Sequence, residues 1–336
     1  MSQSTLSRYL NQAGLTEHEH IQSLWSGYGE IARYSNPRNN TSMVIKKVEL
    51  PQQVFHPRGW NTQTSHLRKL KSYQVERAFY QYIAPLLDQH CRVARMHECI
   101  GELPSMALLL EDLDASGYVV RRMDDNIDAI TLCLRWLAFF HAKGLALIER
   151  QSIFSNQLWP IGCYWHLATR QDELQAMESG LLHQSAVAID NALNTARYQT
   201  IVHGDAKIAN FCFHVNGQQV AAVDFQYPGL GVGVKDVMYF FTSCLDERGL
   251  QQHHNDLLDQ YFEDLQLAMA HYQLDIDGVQ VEREWRDLYD LCWADFHRFL
   301  AGWSPQHTKL NRFMLNKTEQ ALKYFKGSEL LKFQQL

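Results

Sequence analysis

The stretch that decides the fold is Ile201-Val202-His203-Gly204-Asp205-Ala206-Lys207-Ile208-Ala209-Asn210, which continues through Phe211 to Asp224-Phe225-Gln226. A short run with β-branched residues, Tyr198 to Val202, predicts a strand at its start. Gly204 then permits a bend that a side chain would hinder. Two carboxylates, an amide and a lysine therefore follow on one loop and one hairpin.

Asn216-Gly217 divides the second half of this stretch into two strands. We predict strands over 211–215 and 218–223, because this dipeptide is typical of two-residue hairpin turns in which both central residues have positive φ. In that register Asn210 lies opposite Val223, at the distance of about 5 Å that separates directly opposed residues.

Three oxygen-bearing side chains are thereby predicted to converge at the open end of the hairpin. Asp224 emerges beside Asn210, and the loop that carries Asp205 leads to the same point. Hard oxygen ligands of this kind suit Mg²⁺, which proteins usually hold with few groups of their own plus substrate phosphates.

The order His-Gly-Asp, four residues, Asn, strand–turn–strand and Asp-Phe resembles the catalytic segment of the protein-kinase-like superfamily. His203-Gly204-Asp205, in place of His-Arg-Asp, is similar to its small-molecule kinases: aminoglycoside phosphotransferases, choline kinases and ecdysteroid-kinase-like enzymes. Asp224-Phe225-Gln226, with Gly231-Val-Gly-Val-Lys-Asp236-Val-Met-Tyr-Phe240 downstream, most resembles the ecdysteroid-kinase-like (choline-kinase-like) family. Ala206-Lys207-Ile208-Ala209 matches neither the aminoglycoside nor the choline enzymes well, so the acceptor stays open.

This resemblance implies a role for each polar residue of the stretch. Asp205 is expected to accept or orient the proton of the attacking hydroxyl, and Lys207 to contact the transferred γ-phosphate. Asn210 and Asp224 are expected to hold Mg²⁺. Asp236 is expected to brace the catalytic loop. The histidine of His-Gly-Asp precedes a tight turn, a place where histidine is more often structural than functional, so we expect a structural role for it.

The N-terminal part of the chain predicts a strand meander with a glycine turn. By resemblance to a kinase N-lobe, Gly27 and Gly29 are expected to lie over the nucleotide phosphates, where backbone N–H groups can approach closely. In the predicted strand Met43–Val48, Met-Val-Ile-Lys46 resembles the kinase strand whose lysine binds the α- and β-phosphates. Neighbouring strand residues point to opposite faces, so Lys47 remains the alternative to Lys46.

A helix predicted from His66 to Leu87 carries the expected partner of that lysine. Its apolar residues recur at helical spacing: Phe79, Tyr82, Ile83, Leu86 and Leu87. Glu76 lies close to this apolar face, where a charge is costly unless it is paired. The segment around Glu76 resembles the αC-type helix of ecdysteroid-kinase-like proteins, in which this glutamate pairs with the nucleotide lysine. A solvated glutamate at the edge of the face is the alternative.

An apolar run from Ser105 to Leu110 has the length of a buried strand and ends in Glu111-Asp112-Leu113. It resembles the superfamily's strand and hinge, where main-chain groups, here those of Glu111 and Leu113, bond the adenine edge. We therefore expect an α+β, bilobal protein-kinase-like fold. Residues 1–112 form a small β-rich, nucleotide-binding N-lobe, and residues 113–336 form a larger, mainly helical C-lobe with the catalytic loop, magnesium site and acceptor pocket.

The predicted C-lobe helices span 125–144, with Gly144 as the C-cap, 167–194, 237–244, 253–272 and 281–303. The last carries aromatic and acidic residues: Trp285, Tyr289, Asp290, Trp293, Asp295, Phe296 and Trp303. At helical spacing such a set favours core packing. The alternative is a pocket that receives a cationic substrate by cation–π contact.

Composition limits the classes of protein. The chain has 336 residues, 46% of them hydrophobic, and a formal net charge of −6, which favours a soluble globular protein and gives no reason to expect nucleic acid. The most apolar segment, around 131–147, is interrupted by charged residues, so we expect no membrane span. Seven scattered cysteines predict free thiols in the cytoplasm. The segment 55–64 has no assigned role, and neither oligomeric state nor ATP against GTP follows from the sequence.

We expect an ATP- and Mg²⁺-dependent kinase that phosphorylates a hydroxyl of a small molecule. The main alternative is a catalytically inactive, nucleotide-binding pseudokinase. A metal-dependent phosphoesterase is a third hypothesis, for which the chain offers no second carboxylate–histidine cluster at suitable spacing.

Overall fold

The computed structural model describes residues 3–24, 27–50, 63–123, 126–150 and 157–323. Most of segment 55–64 lies outside these ranges. Within them the chain forms a small lobe built on an antiparallel sheet and a larger helical lobe. This arrangement confirms the predicted α+β, bilobal fold class.

The small lobe is a five-stranded antiparallel sheet with strand order β1-β2-β3-β5-β4. The strands are β1 (Thr16–Ser23), β2 (Gly29–Asn36), β3 (Thr41–Glu49), β4 (Met96–Glu102) and β5 (Ser105–Glu111). Helix α1 (Gln3–Ala13) packs on one face, against a cluster that includes Ile45 and Leu109. The opposite face, with Val48 and Leu108, belongs to the main core.

Helix α2 (Gln63–Ala78) continues into a π-helical turn, Phe79–Ile83, and a short 3₁₀ turn. This change corrects the predicted apolar face: Phe79 and Ile83 are buried, but Tyr82 and Leu86 are about 40% exposed. A π turn has wider spacing than an α-helix. Residues beyond Phe79 are therefore rotated away from the positions that a regular helix would give them.

In the described part of the chain, the large lobe contains helices α3 to α9 and five short strands. The helices are α3 (Ile127–Arg150), α4 (Gln171–Ala176), α5 (Leu181–Asn194), α6 (Val234–Cys244), α7 (Glu247–His271), α8 (Gly278–Trp303) and α9 (Arg312–Lys323). The strands are β6 (Trp159–Ile161), β7 (Thr200–Val202), β8 (Phe211–Phe213), β9 (Val220–Ala222) and β10 (Gly229–Gly231). Strands β6, β10 and β7 form one sheet, and β8 and β9 form a hairpin. Helix α9 was not predicted, and the predicted helix 167–194 is divided into α4 and α5.

Helix α3 does not end at Gly144, as predicted, but continues to Arg150. Gly144 instead allows close packing, because a Cβ atom there would lie 2.6 Å from the backbone nitrogen of Ile201. Contrary to the sequence-based expectation, the stretch Ile127–Ile148 is long and apolar enough to cross a membrane. However, 67% of the 18-residue apolar segment within it is buried inside the protein. It is the central core helix of the large lobe.

Most aromatic residues of α8 belong to the core, which favours core packing over the cation-pocket alternative. Trp285, Tyr289, Trp293 and Phe296 are all buried. Asp295 is bonded to buried partners within the lobe: Arg298, Lys235 and Trp165. A quaternary ammonium therefore has no access to these buried residues. Trp303, at the end of α8, is half-buried and lines the cleft between the lobes.

Candidate active site

A cleft of about 920 Å³ lies between the two lobes. Its lining brings together most of the residues singled out from the sequence: Lys46, Glu76, Glu111, Leu113, Asp205, Lys207, Asn210 and Asp224. They come from β3, α2, the end of β5, the loop after β7 and the segment after β9. The fold thus assembles one site from residues that are up to 178 positions apart.

The loop after β7 bends sharply at Gly204, whose φ is +78°. A side chain there would collide with the carbonyl oxygen of Tyr227, 2.1 Å from an ideal Cβ. The carboxylate of Asp236 accepts hydrogen bonds from the N–H groups of His203 at 2.5 Å and Gly204 at 2.9 Å. These contacts confirm the predicted brace, because they hold the two residues that precede Asp205.

His203 is fully buried and structural, as predicted. Its Nδ1 atom is 3.3 Å from the Asp205 N–H, and its Nε2 atom is 3.1 Å from the carbonyl oxygen of Val223. The imidazole thereby connects the catalytic loop to the segment that carries Asp224.

The hairpin has the predicted register but a different turn. Phe211 pairs with Ala222 and Phe213 with Val220, and the Val223 N–H donates to the Asn210 carbonyl at 2.9 Å. The strands are shorter than predicted. The His214 N–H donates to the Gln219 carbonyl, and this bond leaves a four-residue loop, 215–218, between the two residues. Within this loop Gly217 has positive φ but Asn216 does not. The predicted two-residue turn requires positive φ at both of these residues, so it is excluded.

Asp205, Lys207 and Asn210 form one hydrogen-bonded group. The Lys207 ammonium lies 3.1 Å from Asp205 Oδ2. The amide nitrogen of Asn210 donates to the Asp205 carbonyl at 2.9 Å and to its carboxylate at 3.3 Å. This leaves the amide oxygen of Asn210 for another partner.

Lys46 is the lysine that faces the cleft. Its Nζ atom lies 2.6 Å from Glu76 Oε2 and 3.5 Å from Asp224 Oδ1. Lys47 points to the opposite face of the sheet, where it pairs with Glu30 at 2.8 Å. The predicted lysine–glutamate contact is therefore present and involves Lys46, and the solvated alternative for Glu76 does not apply because Glu76 is 2% exposed.

The two carboxylates of the site differ in proton affinity. Burial raises the pKa of Asp205, although Lys207 opposes this shift. Burial also acts on Asp224, but Lys46, Lys207 and Lys69 outweigh it and lower the pKa of Asp224. Divergent environments of this kind assign different roles to paired carboxylates. Of the two carboxylates, Asp205 therefore binds a proton more readily than Asp224 does.

The backbone of Asp224 lies in the left-handed region, with φ +69°. This conformation is unfavourable for a non-glycine residue and is found mainly at functional sites. Phe225 helps to maintain it, because its ring stacks on Phe79 of the π turn with centroids 3.7 Å apart and lies 4.6 Å from His203.

The two predicted glycines do not themselves line the cleft. Leu24 and Tyr28, which flank Gly27, do so instead, and residues 25 and 26 lie outside the described ranges. Gly29 begins β2, where its carbonyl accepts from the Leu24 N–H at 2.7 Å.

The predicted hinge lines the other end of the cleft. The Leu113 carbonyl already accepts from the N–H groups of Ser116 and Tyr118. In the described residues its own N–H has no bonded acceptor, so this is the Leu113 group that can meet a nucleobase. The Glu111 side chain is bound by Arg92 and Ser116.

Sequence reasoning missed four further residues of the cleft: Arg68, Lys69, Arg170 and Gln226. Lys69 donates to Gln226 Oε1 at 3.2 Å, and burial together with the neighbouring Lys46 lowers the pKa of Lys69 to about 8. Lys69 lies seven residues before Glu76 on α2. This spacing places both on one helical face and was the signal that could have identified it.

The residues present fit Mg²⁺. The cleft offers a carboxylate, that of Asp224, and the amide oxygen of Asn210, and both are hard oxygen donors. No cluster of three or more His, Cys, Asp or Glu side chains suited to a metal occurs in the described residues. A metal here would therefore depend on substrate phosphates for the rest of its ligands.

Comparisons with known proteins give the family. Two solved structures similar to this chain are an aminoglycoside-3'-phosphotransferase of type VIII (13% identity, 84% of this chain and 97% of that chain, TM-score 0.43) and an aminoglycoside phosphotransferase from Streptomyces rimosus ATCC10970 in complex with ADP and streptomycin (15% identity, 87% and 100%, TM-score 0.43). No curated protein matches significantly. The family model of the ecdysteroid kinase-like family matches residues 34–161 and 161–274. The chain therefore belongs to the ecdysteroid kinase-like family.

Proposed function

We propose that this protein is a kinase that transfers the γ-phosphate of ATP to a hydroxyl group of a small molecule. The observation that carries the proposal is the convergence of three features in one interlobe cleft. These are the buried Lys46–Glu76 pair, the Asp205–Lys207–Asn210 group, and Asp224 between them. Family membership supports phosphotransfer in general.

Lys46 is positioned to bind the α- and β-phosphates. Its ammonium is held on one side by Glu76 and faces Asp224 on the other. Burial alone would lower the pKa of Lys46, but the two carboxylates raise it above its ordinary value. The side chain therefore stays charged and fixed, as electrostatic preorganisation requires.

Asp205 and Lys207 act on the reacting groups. The acceptor oxygen bonds to the γ-phosphorus while the bond from that phosphorus to the β–γ bridging oxygen breaks, and ADP leaves with the electron pair. The acceptor proton passes to Asp205, whose pKa burial raises. Lys207 offsets negative charge on the transferred group, and its present contact with Asp205 can exchange for a phosphate oxygen.

Asn210 and Asp224 would hold Mg²⁺, which supplies charge neutralisation between the phosphates. Lys69 adds a third cation on the phosphate side of the cleft. At the other end, main-chain groups at Glu111 and Leu113 would bind the adenine edge.

We further propose a cytoplasmic location. No disulfide joins the cysteines of the described residues, which agrees with a reducing compartment.

The experiment is an ATP-consumption screen with wild type, Asp205→Ala and Asp224→Ala. The acceptors are sugars, amino alcohols, sterol-like alcohols and aminoglycosides. We expect transfer by wild type, loss of transfer with retained Mg·ATP binding in Asp205→Ala, and weakened Mg·ATP binding in Asp224→Ala. Binding of Mg·ATP without transfer to any acceptor would favour the pseudokinase alternative instead.

A further inference from the structure

Two arginines lie close together in the lining of the cleft, because Arg68 donates to the carbonyl of Thr169, the residue before Arg170. Arg68 comes from α2 of the small lobe, and Arg170 lies directly before α4 of the large lobe. The proximity of Arg170 is the largest cause, after burial, of a lowered Arg68 pKa. Two guanidinium groups in one half-buried place repel each other, and an anion bound between them would remove that cost.

The hydrogen bonds of these arginines fix them without neutralising the pair. In the described residues Arg68 donates to the Thr169 carbonyl at 2.7 Å and to the Ser65 hydroxyl at 3.4 Å, both of them uncharged acceptors. Arg170 Nη1 donates to Glu173 Oε1 at 2.9 Å. Glu173 does not line the cleft. It therefore balances Arg170 from behind. Glu173 and the exposed Asp172 also act on Arg68, but more weakly than Arg170 does, so the positive charge of the pair is only partly offset.

The pair lies next to the position of the acceptor hydroxyl. Arg170 Nε donates to the Tyr164 carbonyl at 2.7 Å, and the Tyr164 N–H donates to the Gly204 carbonyl, next to Asp205, at 3.2 Å. The Tyr227 hydroxyl lies near both the arginines and the catalytic carboxylates. Burial raises its pKa, the two arginines lower it, and Asp205 and Asp224 raise it. Arg68 and Arg170 are thus close to the catalytic carboxylates.

The other acidic residues of the cleft are not available for a cationic acceptor. They lie at the hinge end, and each is paired with an arginine. The pairs are Glu19 with Arg33, Asp112 with Arg33, Asp114 with Arg33 and Arg121, and Glu111 with Arg92.

We propose that the phosphate acceptor is an anionic alcohol, a hydroxyl compound that carries a carboxylate or a similar anion bound by Arg68 and Arg170. This inference rests on the proposed kinase function and adds the substrate class. Arginine binds such an anion with two parallel N–H···O bonds, which fixes the distance between the anion and the reacting hydroxyl. The rings of Tyr164 and Tyr227 line the cleft between them.

The test uses trios of acceptors that share a skeleton and differ only in charge. One trio is glucuronate, glucuronamide and 6-amino-6-deoxyglucose, which differ only at C6, and the other is the para-hydroxymethyl derivatives of benzoate, benzamide and benzylamine. Phosphate transfer from Mg·ATP gives kcat/KM for each, and the melting temperature with a non-hydrolysable ATP analogue reports binding separately. We expect the anionic members to be preferred over the neutral ones by about 10-fold or more, and the cationic members to be poorest.

Arg68→Gln should remove this preference while leaving the KM for ATP unchanged, and Arg170→Gln gives a second variant. Arg77→Gln is the matched control, because Arg77 lies on the same helix and its partner is the exposed Glu102. If Arg68→Gln instead raises the KM for ATP equally with every acceptor, the arginines bind the nucleotide and the inference is wrong. Equal or better use of neutral or cationic members also overturns it.

Failure of the kinase proposal has a different signature. In that case no phosphate is transferred from ATP to any acceptor, and only the melting temperatures test the anion site. A larger stabilisation by the anionic members, lost in Arg68→Gln, would support the anion site. Equal stabilisation by all members of a trio would contradict it.

Discussion

At the residue scale, β-strand alternation decides which lysine enters the cleft. Sequence alone left Lys46 and Lys47 as alternatives, because neighbouring strand residues face opposite sides and either side could have been the cleft. The position of α2 resolves the choice. It covers the face of Val48 and Leu108, so Lys46 meets Glu76.

We predict that Lys46→Met and Lys47→Met differ in both stability and binding. Lys46→Met leaves the Glu76 carboxylate buried without its partner, which should lower the free energy of unfolding by about 3–5 kcal/mol and weaken Mg·ATP binding. Lys47→Met removes a partly exposed pair and should cost no more than about 1 kcal/mol. Urea unfolding and nucleotide titration measure the two effects. Equal losses in both variants would contradict the assignment.

Lys69 should impose a pH dependence on nucleotide binding. Its pKa is lowered to about 8, so the cation is present below that pH and lost above it. We expect Mg·ATP affinity to decrease as the pH rises through about 8, and this step to be missing in Lys69→Met. Isothermal titration calorimetry on either side of that pH tests the prediction, and a pH profile that is the same in both proteins would refute it.

The same lysine should destabilise the free protein. Because its pKa is lower in the folded than in the unfolded chain, the unfolded state binds more protons between about 8 and the ordinary lysine value. Stability therefore rises with pH in that window, and the penalty is fully present below it. At neutral pH, Lys69→Met should raise the melting temperature of the nucleotide-free protein by about 1–3 °C while binding of Mg·ATP weakens.

At the element scale, the π turn after α2 connects the two lobes. Phe79 lies on it and stacks on Phe225, which contacts His203 of the catalytic loop. The helix that carries Glu76 and the segment that carries Asp224 are therefore packed as one unit.

Phe79→Ala should lower the free energy of unfolding by about 3–5 kcal/mol, because it removes a buried aromatic ring. It should also weaken nucleotide binding, since Glu76 and Asp224 lose their common support. Leu67→Ala on the same helix is the control: Leu67 is 55% exposed, and its loss should change stability by no more than about 0.5 kcal/mol. Normal nucleotide affinity in a folded Phe79→Ala protein would show that the stack does not position the site.

Regular elements and local spacing were the predictable part of this fold. The register of β8 and β9 follows from counting residues on either side of Asn216-Gly217, although the turn is longer than the dipeptide indicated. The π turn could not be predicted, because its stabilisation comes from tertiary packing of Phe79 and not from local propensity. The end of α3 was placed too early at Gly144, where glycine serves contact with β7 and not helix termination.

The candidate site was predictable only where its residues lie in a recognisable order along the chain. Asp205, Asn210 and Asp224 lie close together in sequence, so hairpin geometry alone brings them together. Arg68 and Arg170 belong to different lobes, and only the folded chain shows that they meet. The structure therefore shows that they lie close together, whereas no local sequence pattern could have predicted it.

At the scale of the whole molecule, one hydrophobic core extends through both lobes, and the cleft between them contains the charged groups. Mg·ATP should therefore stabilise the whole protein against unfolding. At a concentration 100-fold above Kd the expected gain is about 2.7 kcal/mol, and thermal unfolding should show most of it lost in Asp224→Asn. A melting temperature that does not respond to Mg·ATP in the wild-type protein would contradict nucleotide binding at this cleft.

The most direct test of the account is transfer of labelled γ-phosphate from Mg·ATP to an anionic alcohol by wild type and Asp205→Asn, with nucleotide binding measured in parallel. The account predicts transfer by wild type and a decrease in kcat of about 10²- to 10⁴-fold in Asp205→Asn, while the Kd for Mg·ATP stays the same. Undiminished transfer by Asp205→Asn would contradict the role of Asp205, and with it the catalytic site proposed for this cleft.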